Sequence, residues 1–392
     1  MRIMHVITRF ILGGAQENTL DTVLGLKRSG RHEVMLVTGP AMGPEGELLE
    51  RARREGVPTL VLPHLRRSIS PYHDALAFLT LARAIRKFRP DVVHTHSSKA
   101  GVLGRLAARL CRVPVIVHTI HGLAFHPYQN RLLNGLYILL ERWCARYSDK
   151  LITVADAMMR QALAARIGRP ERYRTIYSGF ELEPFLRDYD RGEVRRKHGL
   201  SPEDLVIGKI ARLSDLKGHE FLFDAFEEVA KAEPRAKLLL IGDGWKRRMY
   251  ERHVAESGLS GRVVFAGLIR PDEVPAAIHA MDLVVHTSLR EGLARVLVQA
   301  LVSGVPVISY DVDGAREVVK PEETGVLLSS GEVRGLAAAI LRLLADPELR
   351  HRLGSTGRRR LAPLFDVRVM TAQIEEVYEE LFHRKKPAEA SS

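Results

Sequence analysis

Short runs rich in Val and Ile alternate with amphipathic stretches of helical period along almost the whole chain, and they do so in two separate series. A short apolar run bounded by turn residues must be covered on both faces, and amphipathic helices provide that cover. The alternation therefore prescribes βα units that build a parallel sheet. In the first series, strands are expected at Ile3–Thr8, Glu33–Thr38, Thr59–Leu62, Val92–Thr95, Val115–Thr119, Leu151–Val154 and Arg174–Ile176, with helices between them such as Gln16–Ser29 and Pro71–Phe88. The polar stretch Arg187–Asp204 breaks the rhythm. The second series restarts at Leu205–Ile210 and continues through Lys237–Ile241, Val263–Ala266, Leu283–Thr287, Val305–Tyr310 and Gly325–Leu328.

At 392 residues the chain exceeds what a single hydrophobic core usually serves, so the two series are expected to be two domains. We place them at 1–187 and 204–365, joined by a linker at 188–203, with a closing helix at 366–384 that has the option of crossing back to the first domain. Residues 385–392 are expected to be a frayed tail. In open parallel sheets, ligands bind beyond the carboxyl ends of the strands, and two such sheets facing each other would hold a ligand in the cleft between them.

Charge is unevenly divided. Residues 1–190 hold 28 Lys and Arg against 17 Asp and Glu, a net +11, whereas the remainder holds 31 against 30. The first half is thus expected to face something anionic, such as a phosphorylated acceptor or an acidic bilayer surface. Nucleic acid is disfavoured, because no recognition module or aromatic stacking platform accompanies the charge. Only Cys111 and Cys144 are present, too few for a disulfide framework or a cysteine metal site, which fits a reducing compartment. No apolar stretch has spanning length, and Arg9 interrupts the first apolar run, so a cytoplasmic location is expected, with the inner face of the cell membrane as an option.

Two segments of the second series carry candidate chemistry. Arg212 and Lys217 stand five apart in a loop that follows a strand and opens a helix, where a planar fork and a point charge can converge on a diphosphate. Glu291-Gly292-Leu293 follows the strand Leu283–Thr287 and opens another helix. Gly292 permits close backbone approach, free amides at the helix start favour an anion, and Glu291 can accept hydrogen bonds from sugar hydroxyls. Gln299 lies eight residues on, about 12 Å along a helix, within reach of another part of an extended ligand.

These motifs, with Gly13-Gly14-Ala15, His94-Thr95-His96-Ser97-Ser98-Lys99, Thr119-Ile120-His121-Gly122, Tyr177-Ser178-Gly179, Gly242-Asp243-Gly244 and Gly304-Val305-Pro306, resemble in order and position those of glycosyltransferase family 4. The likeness covers nearly the whole chain. It implies an α/β, GT-B architecture of two Rossmann-like domains of parallel β-sheet flanked by helices and facing a central cleft. It also implies a retaining, metal-independent transfer from a nucleotide-diphosphate sugar, a UDP-sugar being favoured, to an acceptor hydroxyl of a lipid-linked or polysaccharide-precursor glycan, with no cofactor. By resemblance, Arg212 and Lys217 hold the diphosphate and Glu291 contacts the donor sugar. Gly292, Leu293, Gln299, Gly242 and Asp243 complete the donor site, His121 lies beside the sugar, and Gly13, Gly14 and Lys99 form the acceptor or reaction-centre loop. The chain departs from the family at Gln299, where a second Glu usually takes the ribose hydroxyls, and at Ser178, where Asn is usual.

Other readings compete. A sugar-nucleotide epimerase or phosphorylase of the same fold, or a non-catalytic sugar-nucleotide-binding protein, would share much of the pattern. Asp311-Val312-Asp313 spells a metal-binding triplet, but its place after a strand reads as a loop and helix-start carboxylate pair. His94 and His96 point to one side of a strand, and with no third ligand in view they read as packing. The stretch Asn130–Tyr147 carries Leu132, Leu136, Leu139 and Trp143 among arginines, which suits an interfacial helix, although core packing is the default.

Overall fold

The computed structural model describes residues 1–41 and 48–385. Its chain divides into two units, Met1–Phe180 with Asp366–Ser392, and Glu181–Phe365. Apart from Lys385, which ends the last helix, the expected tail lies outside the described residues.

The first unit holds seven strands: β1 (Arg2–Ile7), β2 (Glu33–Thr38), β3 (Thr59–Val61), β4 (Val92–His96), β5 (Val115–Ile120), β6 (Lys150–Thr153) and β7 (Tyr173–Thr175). They form one sheet in the order β3-β2-β1-β4-β5-β6-β7, and every pairing is parallel. The order reverses between β1 and β4, so the loops after these two strands diverge and leave a crevice at the carboxyl edge. Side chains of β1 alternate between two cores. Ile3 and Ile7 join Leu20, Val23 and Tyr378 on one face, while Met4 and Val6 join Leu81, Ile85 and Ala107 on the other. The last helix, Val367–Lys385, belongs to this first unit and covers the same face as the helix Gly14–Arg28.

The second unit holds β8 (Leu205–Ile210), β9 (Ala236–Ile241), β10 (Val263–Gly267), β11 (Leu283–His286), β12 (Val307–Tyr310) and β13 (Gly325–Leu328). Their order is β10-β9-β8-β11-β12-β13, again all parallel, with the reversal between β8 and β11. One core runs from Ile207, Leu238 and Val285 to Phe223, Phe226 and Leu343.

The stretch 188–203 is not a linker. It contains the helix Arg191–Lys197, capped by the Asp190 carboxylate, and is part of the second unit. Arg195 is buried there, donating to Asp282, to the carbonyls of Ala280 and Pro202, and to that of Asp204. The sequence looked polar because a buried guanidinium satisfies its donors only through such partners, which are invisible before the chain folds.

Candidate active site

In the second unit, the loops after β8 and β11 meet at the switch point. Leu216, in the left-handed region with φ 63°, accepts from the amide of Leu289 at 2.8 Å. Gly218 has φ 62°, and a Cβ there would lie 2.0 Å from the Thr287 carbonyl, so this position admits only glycine. The Thr287 hydroxyl donates to the Gly218 carbonyl at 2.6 Å and closes the two loops on each other.

That closure brings Lys217 and Glu291 together. The Lys217 ammonium lies 2.5 Å from Glu291 Oε1, and His286, the last residue of β11, places Nε2 3.5 Å from the same oxygen. Burial alone would raise the Glu291 carboxyl, but the Lys217 charge and the His286 contact hold it well below the usual carboxylate range. Asp313, at the left-handed φ of 48°, accepts the Glu291 amide at 2.7 Å, and Gly292 accepts from the amide of Gly314 at 3.1 Å. The carboxylate is therefore ionised and fixed from both ends, able to accept hydrogen bonds from hydroxyls. Asp311 instead pairs with Arg316, so the Asp-x-Asp triplet is a loop pair that braces Glu291.

Two residues that sequence reasoning passed over stand beside this pair, His286 and Lys209, while Asp313 was read there only as a loop carboxylate. Lys209 is buried on β8 with its ammonium 2.6 Å from the Thr287 hydroxyl. Burial, with the nearby Lys217 charge, pushes it down to about 7. The signal was present, since a lone lysine interrupts an otherwise apolar strand.

The other residues expected at the donor site belong to the same unit. Arg212 is half-buried just past β8. Gly242 follows β9 at φ 132°, where a Cβ would meet the Ala211 carbonyl at 2.2 Å. The Asp243 carboxylate accepts from the Gly244 amide at 2.7 Å and from Arg247 at 3.2 Å, so it shapes this turn. Gln299 is half-buried on the helix Arg295–Val302.

In the first unit, Gly13 caps and Gly14 begins the helix Gly14–Arg28 after β1, and His121 directly follows β5. Lys99, expected in the acceptor or reaction-centre loop, opens the helix Ser98–Leu110. Its ammonium bonds the Asp74 carboxylate at 2.5 Å and the Ser68 carbonyl, so its charge is spent on holding the helix Pro71–Phe88.

The histidines also need correcting. A third imidazole does lie beside His94 and His96: register pairs His5 with His94, and ligand atoms of all three fall within 4.8 Å. All six ring nitrogens face hydrogen-bond partners. His5 Nδ1 meets His96 Nε2 at 3.0 Å, and His96 Nδ1 meets His121 Nε2 at 3.1 Å. His94 bonds Tyr378 and Thr119, and His5 Nε2 lies 3.5 Å from the Tyr378 hydroxyl.

The helix Arg131–Ala145 corrects the default of core packing. Leu132, Leu136, Leu139 and Trp143 are exposed, Leu132 by 86%, while the buried positions are Glu141, Cys144 and Ala145. Glu141 is drawn inward by the fully buried Arg105, 2.7 Å away, which orients the leucine face outward.

Comparison with known proteins agrees with this geometry. The family "Glycosyl transferase 4-like domain" matches residues 13–179, and "Glycosyl transferases group 1" matches residues 190–360. The chain is 31% identical over 353 residues to the 2-deoxystreptamine glucosyltransferase of Streptomyces kanamyceticus, covering 81% of this chain and 88% of that one. It is 26% identical over 382 residues to the UDP-Gal:alpha-D-GlcNAc-diphosphoundecaprenol alpha-1,3-galactosyltransferase of Escherichia coli, covering 96% of both. Among solved structures, Anabaena HepE in complex with UDP-glucose superposes with a TM-score of 0.83 at 25% identity, covering 97% of this chain and 100% of that one. Two family domains in order, each built on its own parallel sheet, make this chain a GT-B glycosyltransferase of the family 4 type, an enzyme that transfers a sugar.

Proposed function

We propose that the enzyme transfers a hexosyl unit, with retention and without a metal or other cofactor, from a UDP-sugar to a hydroxyl of a lipid-linked or polysaccharide-precursor glycan. The observation that carries this reading is the Lys217–Glu291 pair at 2.5 Å on the switch point of the second sheet. As the anomeric bond breaks, charge builds on the leaving diphosphate, and preorganised cations oppose it without reorganisation. Arg212 and Lys217 supply those cations. Glu291 holds sugar hydroxyls, Gly292 and Leu293 offer amides at the start of the next helix, and Gln299 takes the ribose. Gly242 and Asp243 shape the wall of the donor site. His121 stands beside the transferred sugar, and Gly13 and Gly14 form the acceptor loop.

The choice of donor is supported by the relatives, which include the UDP-Gal galactosyltransferase of Escherichia coli and the HepE complex with UDP-glucose. For the acceptor, the Escherichia coli relative is named for a diphosphoundecaprenol-linked sugar and a Staphylococcus aureus relative for capsular polysaccharide biosynthesis. No helix among the described residues is long and apolar enough to cross a membrane. The exposed face of Leu132, Leu136, Leu139 and Trp143, set in a basic half, suits peripheral contact with anionic lipid at the cytoplasmic face.

The test is turnover. Lys217→Ala and Arg212→Ala should each lower kcat by roughly 100-fold or more while leaving the thermal melt of the free protein intact. Near-normal transfer by both variants would refute the assignment. A thermal-shift screen of UDP-, GDP- and ADP-sugars, with and without chelator, should single out a UDP-sugar and be indifferent to chelation.

A further inference from the structure

The histidines of the first sheet form a chain of hydrogen bonds with one end in the core and the other at the carboxyl edge. Tyr378, His5, His94 and His96 are all 0% exposed, and only His121 reaches solvent. A buried neutral imidazole must donate from one nitrogen and accept at the other, so fixing one ring in such a chain fixes the next. The register makes this continuous: β1, β4 and β5 present His5, His94, His96 and Thr119 on the face that Tyr378 covers, and His121 lies two residues past Thr119.

The direction of the chain can be worked out from its core end. Tyr378 Oη lies 2.5 Å from His94 Nδ1. The other imidazole at the same oxygen, His5 Nε2, lies 3.5 Å away, and of the two bonds a buried phenol makes, the one it donates into an imidazole lone pair is the shorter and stronger. Tyr378 is thus the donor to His94, whose Nε2–H then donates to the Thr119 hydroxyl at 2.7 Å. With the phenol proton spent, the Tyr378 oxygen can only accept from His5, 3.5 Å away, so the His5 proton sits on Nε2. His5 Nδ1 must then accept from His96 Nε2–H, and His96 Nδ1 must accept from His121 Nε2–H. The remaining nitrogen of His121, Nδ1, carries a lone pair.

We propose that Tyr378, acting through His5 and His96, fixes His121 as its Nε2-protonated tautomer, so that Nδ1 serves as a hydrogen-bond acceptor for a sugar hydroxyl. This use of Nδ1 rests on the reading that His121 faces the transferred sugar. Tyr378, His5 and His96 are positioning residues and never touch substrate. The rings stay neutral throughout, since burial holds His5 and His121 at about 3, and His94 and His96 well below the usual imidazole value. A ligand group that only accepts hydrogen bonds would meet a second lone pair at Nδ1, so the arrangement selects hydroxyl-bearing sugars at that position.

The experiment is ring-nitrogen NMR of the full chain labelled with 15N-histidine, in the wild type and in Tyr378→Phe and His5→Phe. The wild type should show His121 with Nε2 protonated and Nδ1 bare. Either variant removes an acceptor and leaves a buried N–H without a partner, which is relieved when the chain reverses. The protonated and bare signals of His121 should therefore exchange, although Tyr378 is three links away. Transfer from UDP-glucose, or whichever donor the screen selects, should fall about tenfold in kcat with the donor KM nearly unchanged, the scale of one neutral hydrogen bond. A wild-type His121 protonated at Nδ1, or an unmoved tautomer in folded variants, overturns the proposal. His121→Ala tests the underlying reading separately: unimpaired transfer would remove His121 from the sugar site whatever the spectra show.

Discussion

Lowering the pH from 7.5 to 5.5 should destabilise the first unit sharply: four buried imidazoles set the least size of the effect, and His121, which burial also depresses, adds to it. His5, His94 and His96 are 0% exposed and His118 is 3% exposed. Burial depresses all four: His5 falls to about 3 and the others well below their usual value. In the unfolded chain each titrates near 6.5, so below that pH the unfolded state takes up protons that the folded state refuses, and stability is lost as pH falls. Above about 7 the four contribute no pH dependence. At pH 5.5 each ring costs ~1.4 kcal/mol, and the four together about 5–6 kcal/mol. For a unit of this size that corresponds to a fall in Tm of roughly 10–20 °C. Carboxylates barely titrate in this window, because their unfolded values lie near 4. The assay is calorimetry or far-ultraviolet melting at half-unit pH steps, with His118→Asn as a subtraction control, since His118 bonds Thr95 and lies outside the relay. That variant should lose about 1.4 kcal/mol of the pH-dependent drop, the share of one ring. A wild-type drop below ~1.4 kcal/mol, the value of one ring, would refute the reasoning.

Gln299→Glu should tighten donor binding by roughly 5–10-fold, the difference between a neutral and a charge-assisted hydrogen bond, and calorimetry showing unchanged or weaker affinity would contradict it. Lys209→Met should remove a titration that penalises the folded state. Because Lys209 is pushed down to about 7, wild-type stability should rise relative to the variant between pH 7 and 9.5 by up to roughly 3 kcal/mol. Denaturant unfolding that gives a flat difference across that range would exclude a buried neutral lysine. Replacing Leu136, Leu139 and Trp143 by Ser should abolish sedimentation with phosphatidylglycerol vesicles while sparing donor binding, and retained sedimentation would remove this face as the membrane contact.

Much of the fold was legible because hydrophobic period is local. All thirteen strands among the described residues fall within two residues of the positions that apolar runs and turn residues predict. The donor loops were legible for a related reason: the loops that follow two parallel strands, carrying Arg212 and Glu291, must lie at the carboxyl edge of their sheet. What the sequence could not reveal were partners brought together across long separations. Arg195 needed Asp282 and the carbonyl of Ala280 to become a core residue, so its neighbourhood passed for linker. Asp313 reaches back 22 positions to hold the Glu291 amide, and Lys99 spends its charge on Asp74.

The sequence by itself determined two parallel α/β sheets, the order of the donor motifs and the placing of Arg212, Lys217, Glu291 and His121 at strand ends, because each depends on residues adjacent in the chain. Only tertiary structure decided that Lys217 and Glu291 form one ion pair, that the leucine face of the helix Arg131–Ala145 points outward, and that four separate segments join Tyr378 to His121. Burial makes such pairings obligatory. A polar group taken from water must find a partner, and the topology of the sheet decides which one it meets.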